Sequence, residues 1–395
     1  MTNVSVVKAK NYQSKEIRNA LIRSFQLLGG IENIIKPKSK VFIKINHLSP
    51  PSKPDRAIVT HPLFTREVIR MLNDLQCEIT VGDDVQHITI DGYVISGYRK
   101  ICQEFGVKLL NLKETGFKEF SCNGRVLDKT YISLEVINAD VFINLPKLKT
   151  HSFTVFTGAI KNLYGIIPYG LRLHYHNLYR NIEIFSQMLV DIFSCAPSHL
   201  TIMDSIIGME GEGPSTGKPR EIGLIIASKD GVAVDAVASK IVGFNPLNIY
   251  TTLFAHQRGL GTGDLKEINI LGEPLQDIQV EDFKHSAIAV GLLQKKIPSF
   301  LYAYIQEQLQ LIPEIIRAKC TSCKECIKIC PRGAISLVDS LAFINKNNCI
   351  HCMCCHEVCR FQSIRLKNRP IGGLIRGIGS FYNKMKFLFP KKKTD

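Results

Sequence analysis

The chain has 395 residues, 45% of them hydrophobic and 22% charged, and a formal net charge of +15. That length exceeds a single core and predicts two or three domains, while no run of about eighteen apolar residues offers a membrane-spanning helix. Between Arg360 and Asp395 ten Lys and Arg face one acidic residue, so most of the excess charge sits in a short tail and nucleic-acid binding is not expected. The first thirty residues mix charge with scattered apolar positions and hold no signal-peptide core, which makes the cytoplasm the expected compartment.

Taken in chain order, short β-type runs alternate with helical patterns. "VFIKI" (41–45), "CEITVGDD" (77–84), "DVFINLP" (140–146), "HLTIMDS" (199–205), "IGLIIAS" (222–228) and "EINILG" (267–272) read as buried strands. Between the first two lies the helical segment 61–75, with Thr60 expected as its N-cap and Pro62 near its first turn. Strands this apolar suit a mostly parallel sheet covered by helices on both faces, an α/β fold spanning 1–290. "GLGTGD" (259–264) is glycine-rich but comes after a helical run, so it is no dinucleotide fingerprint; no nicotinamide or flavin signature is present. Residues 291–318 show helical periodicity and are expected to form a connecting helix, joined without a flexible linker to the segment that begins at Lys319.

That segment is rich in sulfur. "CTSCKECIKICP" (320–331) and "CIHCMCCHEVC" (349–359) both carry the spacing Cys-x2-Cys-x2-Cys-x3-Cys. Paired CxxC zinc sites lack the third cysteine at the same gap, and disulfides need an oxidising compartment. The spacing is that of bacterial two-cluster ferredoxins, in which the fourth cysteine of each run serves the other cluster. It predicts two [4Fe-4S] clusters in a small α+β module at 319–368. Cys320, Cys323, Cys326 and Cys359 would hold one, and Cys349, Cys352, Cys355 and Cys330 the other. "AISLVDSLAFIN" (334–345) reads as two strands around a turn within it. Arg360 stands where the first run has Pro331, a cation expected to raise one potential, and Cys354 is surplus to the spacing. Cys77, Cys102, Cys122 and Cys195 are expected to be core residues.

A two-cluster module binds no substrate, so other chemistry belongs to the α/β part, where polar residues gather at predicted strand ends. Lys44, Asn46 and His47 sit at the end of one strand, and Asp83 and Asp84 at the end of another. Lys147, Lys149 and His151 come after a third, with Lys161 and Asn162 shortly beyond. Asp204, Glu210 and Glu212 come after a fourth on a glycine-rich loop, and Asp235 lies on the helix after a fifth. "INLPKLKTH", "TGAIKNLYG", "MEGEGPSTG" and "DGVAVDAV", in this order and ahead of a ferredoxin module, resemble the domain of unknown function 362 family over roughly residues 40 to 275. Members of that family are iron–sulfur proteins without an agreed reaction, so the resemblance implies a fold and a cofactor rather than a substrate. The chain departs from the family where Ile45 replaces a proline.

Chemically, Lys44, Asn46, Lys147, Lys161 and Asn162 suit binding of a carboxylate or phosphate, with Lys149, His151, Asp204, Glu210 and Glu212 as catalytic candidates. The plain alternatives are solvated lysines, a capping histidine, an interior acceptor at Asp235 and a turn-rich loop around the glutamates. Three functions compete. The first is a reductase passing electrons to an anionic small molecule or cofactor, fed by a soluble donor such as a ferredoxin. The second is a non-enzymatic electron-transfer subunit docking a redox partner; the third is a non-redox anion-processing enzyme with structural or sensory clusters. The tail, 369–395, projects Ile371, Leu374, Ile375, Ile378 and Phe381 onto one stripe of a basic amphipathic helix. That pattern suits peripheral contact with an anionic membrane at its inner face, or packing on protein.

Overall fold

The structure, a computed structural model, describes residues 1–48, 52–85, 91–179, 181–286, 311–328, 330, 332–349, 355, 359, 361 and 363–369. The chain divides into two compact units, Met1–Ser286 and Ala287–Asp395.

The first unit opens with β1 (Thr2–Lys8), α1 (Ser14–Leu27), β2 (Lys40–Ile45), α2 (Pro62–Asp74) and β3 (Glu78–Asp83). Then come α3 (Gly92–Ile95), α4 (Tyr98–Phe105), β4 (Lys108–Asn111), β5 (Phe117–Ser121), β6 (Lys129–Ser133) and α5 (Leu134–Ile137). The middle holds β7 (Val141–Leu145), β8 (Lys147–His151), β9 (Val155–Thr157), α6 (Ala159–Asn162), α7 (Tyr169–Leu178) and α8 (Ile182–Cys195). It closes with β10 (Leu200–Glu210), β11 (Lys218–Ser228), α9 (Gly231–Ile241), α10 (Tyr250–Gln257) and β12 (Ile268–Gly272).

The main sheet runs β12-β1-β11-β10-β7-β2-β3-β4, with β8 and β9 attached beside β10. Pairings from β10 through β7, β2 and β3 to β4 are parallel, whereas β11 is antiparallel to both β10 and β1. Alternation along a strand divides the core in two. Val41, Ile43 and Ile45 pack with Phe64, Val68 and Leu72 of α2 on one face. Phe42 and Phe142 pack with Ile160, Phe185 and Leu189 on the other. This is the α/β sheet, mostly parallel and covered on both faces, that the apolar strands imply.

Local details differ from the sequence-based expectations for identifiable reasons. The N-cap of α2 is His61, whose ring accepts from the Leu63 N–H, with Pro62 at the first position. Thr60 instead donates its hydroxyl to the Leu145 carbonyl at 2.6 Å and accepts from the Asn46 N–H at 2.9 Å, tying the ends of β2 and β7 together. The strand at 140–146 does not simply end in a loop. After Pro146 the chain resumes as β8, which pairs with the far half of β10.

In the second unit, residues 311–315 are not the end of a connecting helix. They form β13 (Leu311–Ile315), antiparallel to β16 (Ile364–Asn368), with Ile312 paired to Lys367 and Ile315 to Ile364. β14 (Ile335–Val338) and β15 (Leu341–Ile344) make the expected hairpin, with Asp339 and Ser340 at φ 49° and 60° in its tight turn. A single helical turn, α11 (Glu325–Lys328), comes shortly after Cys323. A 3-10 turn at Arg317–Lys319 comes after β13, while residues 291–310 of the expected connecting helix and the tail from 370 onward lie outside the described residues.

Candidate functional site

Strand order reverses between β2 and β7: the chain moves from β2 to β3 and β4 on one side, then returns to β7 and β10 on the other. A crevice outside the carboxyl ends of strands at such a point is where open α/β sheets bind ligands. Lys44, Lys147 and Lys149 gather there, and each is buried to 1% exposure.

Their partners differ. Lys44, at the end of β2, pairs with Asp83 at the end of β3 at 2.9 Å and donates to the Ile45 carbonyl at 2.7 Å. Asn162 approaches Lys44 through its side-chain oxygen and donates to Asn144 at 2.7 Å. Gly165 covers this pair; a Cβ there would lie 2.6 Å from the Asp83 carboxylate and 2.8 Å from the Lys44 amine. Lys147 donates to Asp204 at 2.8 Å and to the Tyr12 hydroxyl at 2.6 Å. Burial lowers the pKa of both lysines, with their carboxylates opposing it.

Lys149 is different. Its amine donates to the Ile58 carbonyl at 2.7 Å, and no carboxylate pairs with it among the described residues. Burial lowers its pKa well below the ordinary lysine value, and the charges of Lys161 and Lys147 add to the effect. Asn46, on the other strand tied to the 58–60 segment, keeps its side-chain oxygen buried with no hydrogen-bond partner among the described residues.

His151 closes β8. Its Nδ1 accepts from the backbone N–H of Phe153 at 3.0 Å and of Thr154 at 3.1 Å, which places the proton on Nε2. Burial holds its pKa well below 6.5, helped by Lys161 and His176, so the ring is neutral at physiological pH. The same turn places Val155, a β-branched residue, at φ 69°, a strained conformation worth about 1–3 kcal/mol.

Several sequence candidates are hydrogen-bonded to other parts of the fold. Asp204 accepts from Tyr12, Lys147, and the N–H groups of His61 and Ile206. Glu210, the last residue of β10, accepts from the Lys284 N–H at 3.0 Å and Glu212, on the glycine-rich loop after it, from the Ser286 hydroxyl at 2.9 Å, so the two fasten the 284–286 segment. Asp235 accepts from the N–H groups of Ala159 and Ile160 and starts α6; burial pushes its carboxyl up to about 7. Gly158 permits this, since a Cβ there would sit 2.1 Å from Asp235. The His47 ring bonds Ser96 at 3.0 Å through Nε2, and its backbone N–H donates to Asp83 at 2.7 Å.

The structure also adds residues that sequence reasoning misses. Tyr12 lies far upstream of the motifs and gives no signal. Arg172 bonds Asp84 at 2.6 Å, and His176 stacks on Phe185 with ring centroids 4.6 Å apart. Their spacing of four on α7 puts both on one helix face, which is legible in "RLHYH".

In the second unit, Cys320, Cys323, Cys326 and Cys359 line one pocket together with Ile315, Ala342, Phe361 and Ile364. Four sulfur donors converging on an apolar wall fit a cubane cluster. Burial and the neighbouring thiols of Cys323, Cys320 and Cys359 push Cys326 up to about 11, a cost that bound iron would reverse. Cys330, Cys349 and Cys355 lie in the adjoining core with Ile335 and Ile344; Cys352 is outside the described residues.

The fold and these cysteines define an α/β protein carrying an iron–sulfur module, and comparison agrees. A 4Fe-4S binding domain profile matches residues 313–336. The profile of the domain of unknown function DUF362 matches residues 41–240, about half of the chain, and the protein belongs to that family. It is similar to the thylakoid-associated protein sll1697 of Synechocystis sp., with 26% identity over 318 residues, 78% of this chain and 98% of that one. Among solved structures, the lactate racemase apoprotein of Thermoanaerobacterium thermosaccharolyticum aligns with a TM-score of 0.39 and 13% identity, over 61% of this chain and 57% of that one.

Proposed function

We propose that the protein is an iron–sulfur reductase whose α/β unit holds an anionic small molecule or cofactor at the carboxyl ends of β2, β7 and β8. The observation that carries the reading is Lys149: a fully buried amine with no carboxylate paired to it among the described residues costs stability when charged, and such a cost is characteristic of binding sites. Lys44 and Lys147, expected to contact the ligand, are neutralised by Asp83 and Asp204 and act as the rigid frame behind it.

Within that frame each side chain has a defined task. Lys149 binds the anion and regains its proton on doing so, because a negative neighbour reverses the shift that burial imposes. His151, neutral and fixed by two backbone donors, offers Nε2–H to negative charge developing on the bound molecule, as a hydrogen-bond donor rather than as an imidazolium acid. The buried Asn46 oxygen supplies an acceptor for a ligand hydroxyl or amide.

Cys320, Cys323, Cys326 and Cys359 would hold one [4Fe-4S] cluster, and Cys349, Cys352, Cys355 and Cys330 a second. Bound clusters supply single electrons at low potential. A soluble ferredoxin-like donor is the partner this implies. The tail from 369 onward, basic and amphipathic in sequence, together with a relative described as thylakoid-associated, supports peripheral contact with an anionic membrane.

The test is anaerobic. Fully reduced protein is mixed with phosphates and small carboxylates, and cluster absorbance is followed. Reoxidation by one anion class in the wild type, lost in Lys149→Met with cluster content unchanged, supports the reading. Reoxidation at equal rates in both proteins refutes a role for the site.

A further inference from the structure

Cys122 and Cys195 stand apart from both cluster-binding runs and meet on the first unit. Cys195 is the last residue of α8, and Cys122 comes directly after β5. Their sulfurs are 2.6 Å apart, well inside the ordinary contact distance of two sulfur atoms. Neither is sealed in the core, contrary to the sequence-based expectation; both are partly exposed. The approach is enforced by a frame that does not involve the sulfurs. Asp191, one turn before Cys195, is fully buried and accepts from the N–H groups of Arg125, Val126 and Leu127 at 2.8–2.9 Å. Arg258 neutralises it at 2.6 Å. The turn after Cys122 is therefore clamped to α8 whether or not the thiols interact.

We propose that Cys122 and Cys195 form a redox-active dithiol that closes reversibly to a disulfide in exchange with a low-molecular-weight disulfide. The Cys195 thiolate attacks one sulfur of the oxidant, whose S–S bond breaks and releases one thiol. Cys122 then gives up its proton and attacks the Cys195 sulfur of the mixed disulfide, releasing the second thiol. Two protein thiols become one disulfide, one external disulfide becomes two thiols, and both protons end on them. The order is set by the pair's electrostatics: the hydrogen bond shared with Cys122 holds Cys195 below the ordinary thiol range, with burial opposing it, while the same bond pushes Cys122 up.

The experiment uses anaerobically prepared full-length holoprotein equilibrated across a series of oxidised-to-reduced glutathione ratios. Samples are quenched with acid, alkylated after denaturation and mapped by peptide mass. The expected result is that Cys122 and Cys195 lose alkylation together, yielding one cross-linked peptide pair lighter by about 2 Da than the two free-thiol peptides. Returning the sample to reduced glutathione restores both thiols. In Cys122→Ser, Cys195 is expected to stop at the glutathione mixed disulfide. Independent alkylation of the two cysteines across the whole series, or a dominant cross-link from either to a cluster cysteine, overturns the proposal.

Discussion

Lys149 is an amine buried where no carboxylate pairs with it among the described residues, and that makes its consequences measurable. Its pKa in the folded chain lies well below the 10.5 of an unfolded lysine. Between those two values the unfolded chain holds a proton that the folded one has released, so stability falls as pH drops from about 10.5 toward the folded value. Lys149→Met removes this penalty and is expected to raise the ligand-free melting temperature at pH 7, by an amount on the order of 1–2 kcal/mol of stability. The same variant should lose the stabilisation that oxyanions give the wild type, and wild-type anion affinity should weaken as pH rises, because binding takes up a proton. A lower melting temperature in Lys149→Met would mark the residue as structural. Asp235 makes the contrary case. Asp235→Ala strips two buried N–H groups of their acceptor and should cost about 2–4 kcal/mol, read by denaturant titration. In the wild type, stability from the protonated form of Asp235 is fully present below about 4 and lost as pH rises through about 7.

At the scale of elements, the paired carboxylates and lysines are joints. Asp204 links β10 to Lys147 of β8, to Tyr12 ahead of α1 and to the N-terminus of α2. Asp204→Ala leaves Lys147 charged and unpaired in the interior, and the expected loss is about 3–5 kcal/mol. Adding Lys147→Met should recover a large part of it, and a double-mutant cycle in urea measures the recovery. These joints explain what the sequence discloses and what it withholds. Apolar runs at 41–45, 140–146 and 222–228 reveal their strands, because a strand buried on both faces is apolar along most of its length. β8 is hidden, because Lys147, Lys149 and His151 look like a solvated loop until β10 buries them. The gathering of charge at strand ends is legible. Which charges are cancelled is not, since Lys44 meets Asp83 and Lys147 meets Asp204 only across the sheet. Residues 311–315 mislead for a related reason: five residues with one charged position, Glu314, fit helix or strand equally, and only the partner at 364–368 decides.

As a whole, the chain divides into two units, and their described cores differ greatly in size. One is built on the large sheet, and the other on a few apolar residues around the cysteines. Among the described residues the second core is small, Ile335, Ala342, Ile344, Cys355 and Ile364, and a core of that size is expected to depend on bound metal where the α/β unit is not. Anaerobic iron chelation is therefore expected to abolish hydrogen-exchange protection over 311–369 while leaving protection in β2, β7 and β10 unchanged. The measurement that bears most directly on the account as a whole is the metal and sulfide content of protein purified without oxygen. Two cubane clusters require about eight irons and eight acid-labile sulfides per chain, with reduced-cluster signals in paramagnetic resonance after dithionite. Near-stoichiometric zinc with little iron or sulfide in the same preparation would contradict it.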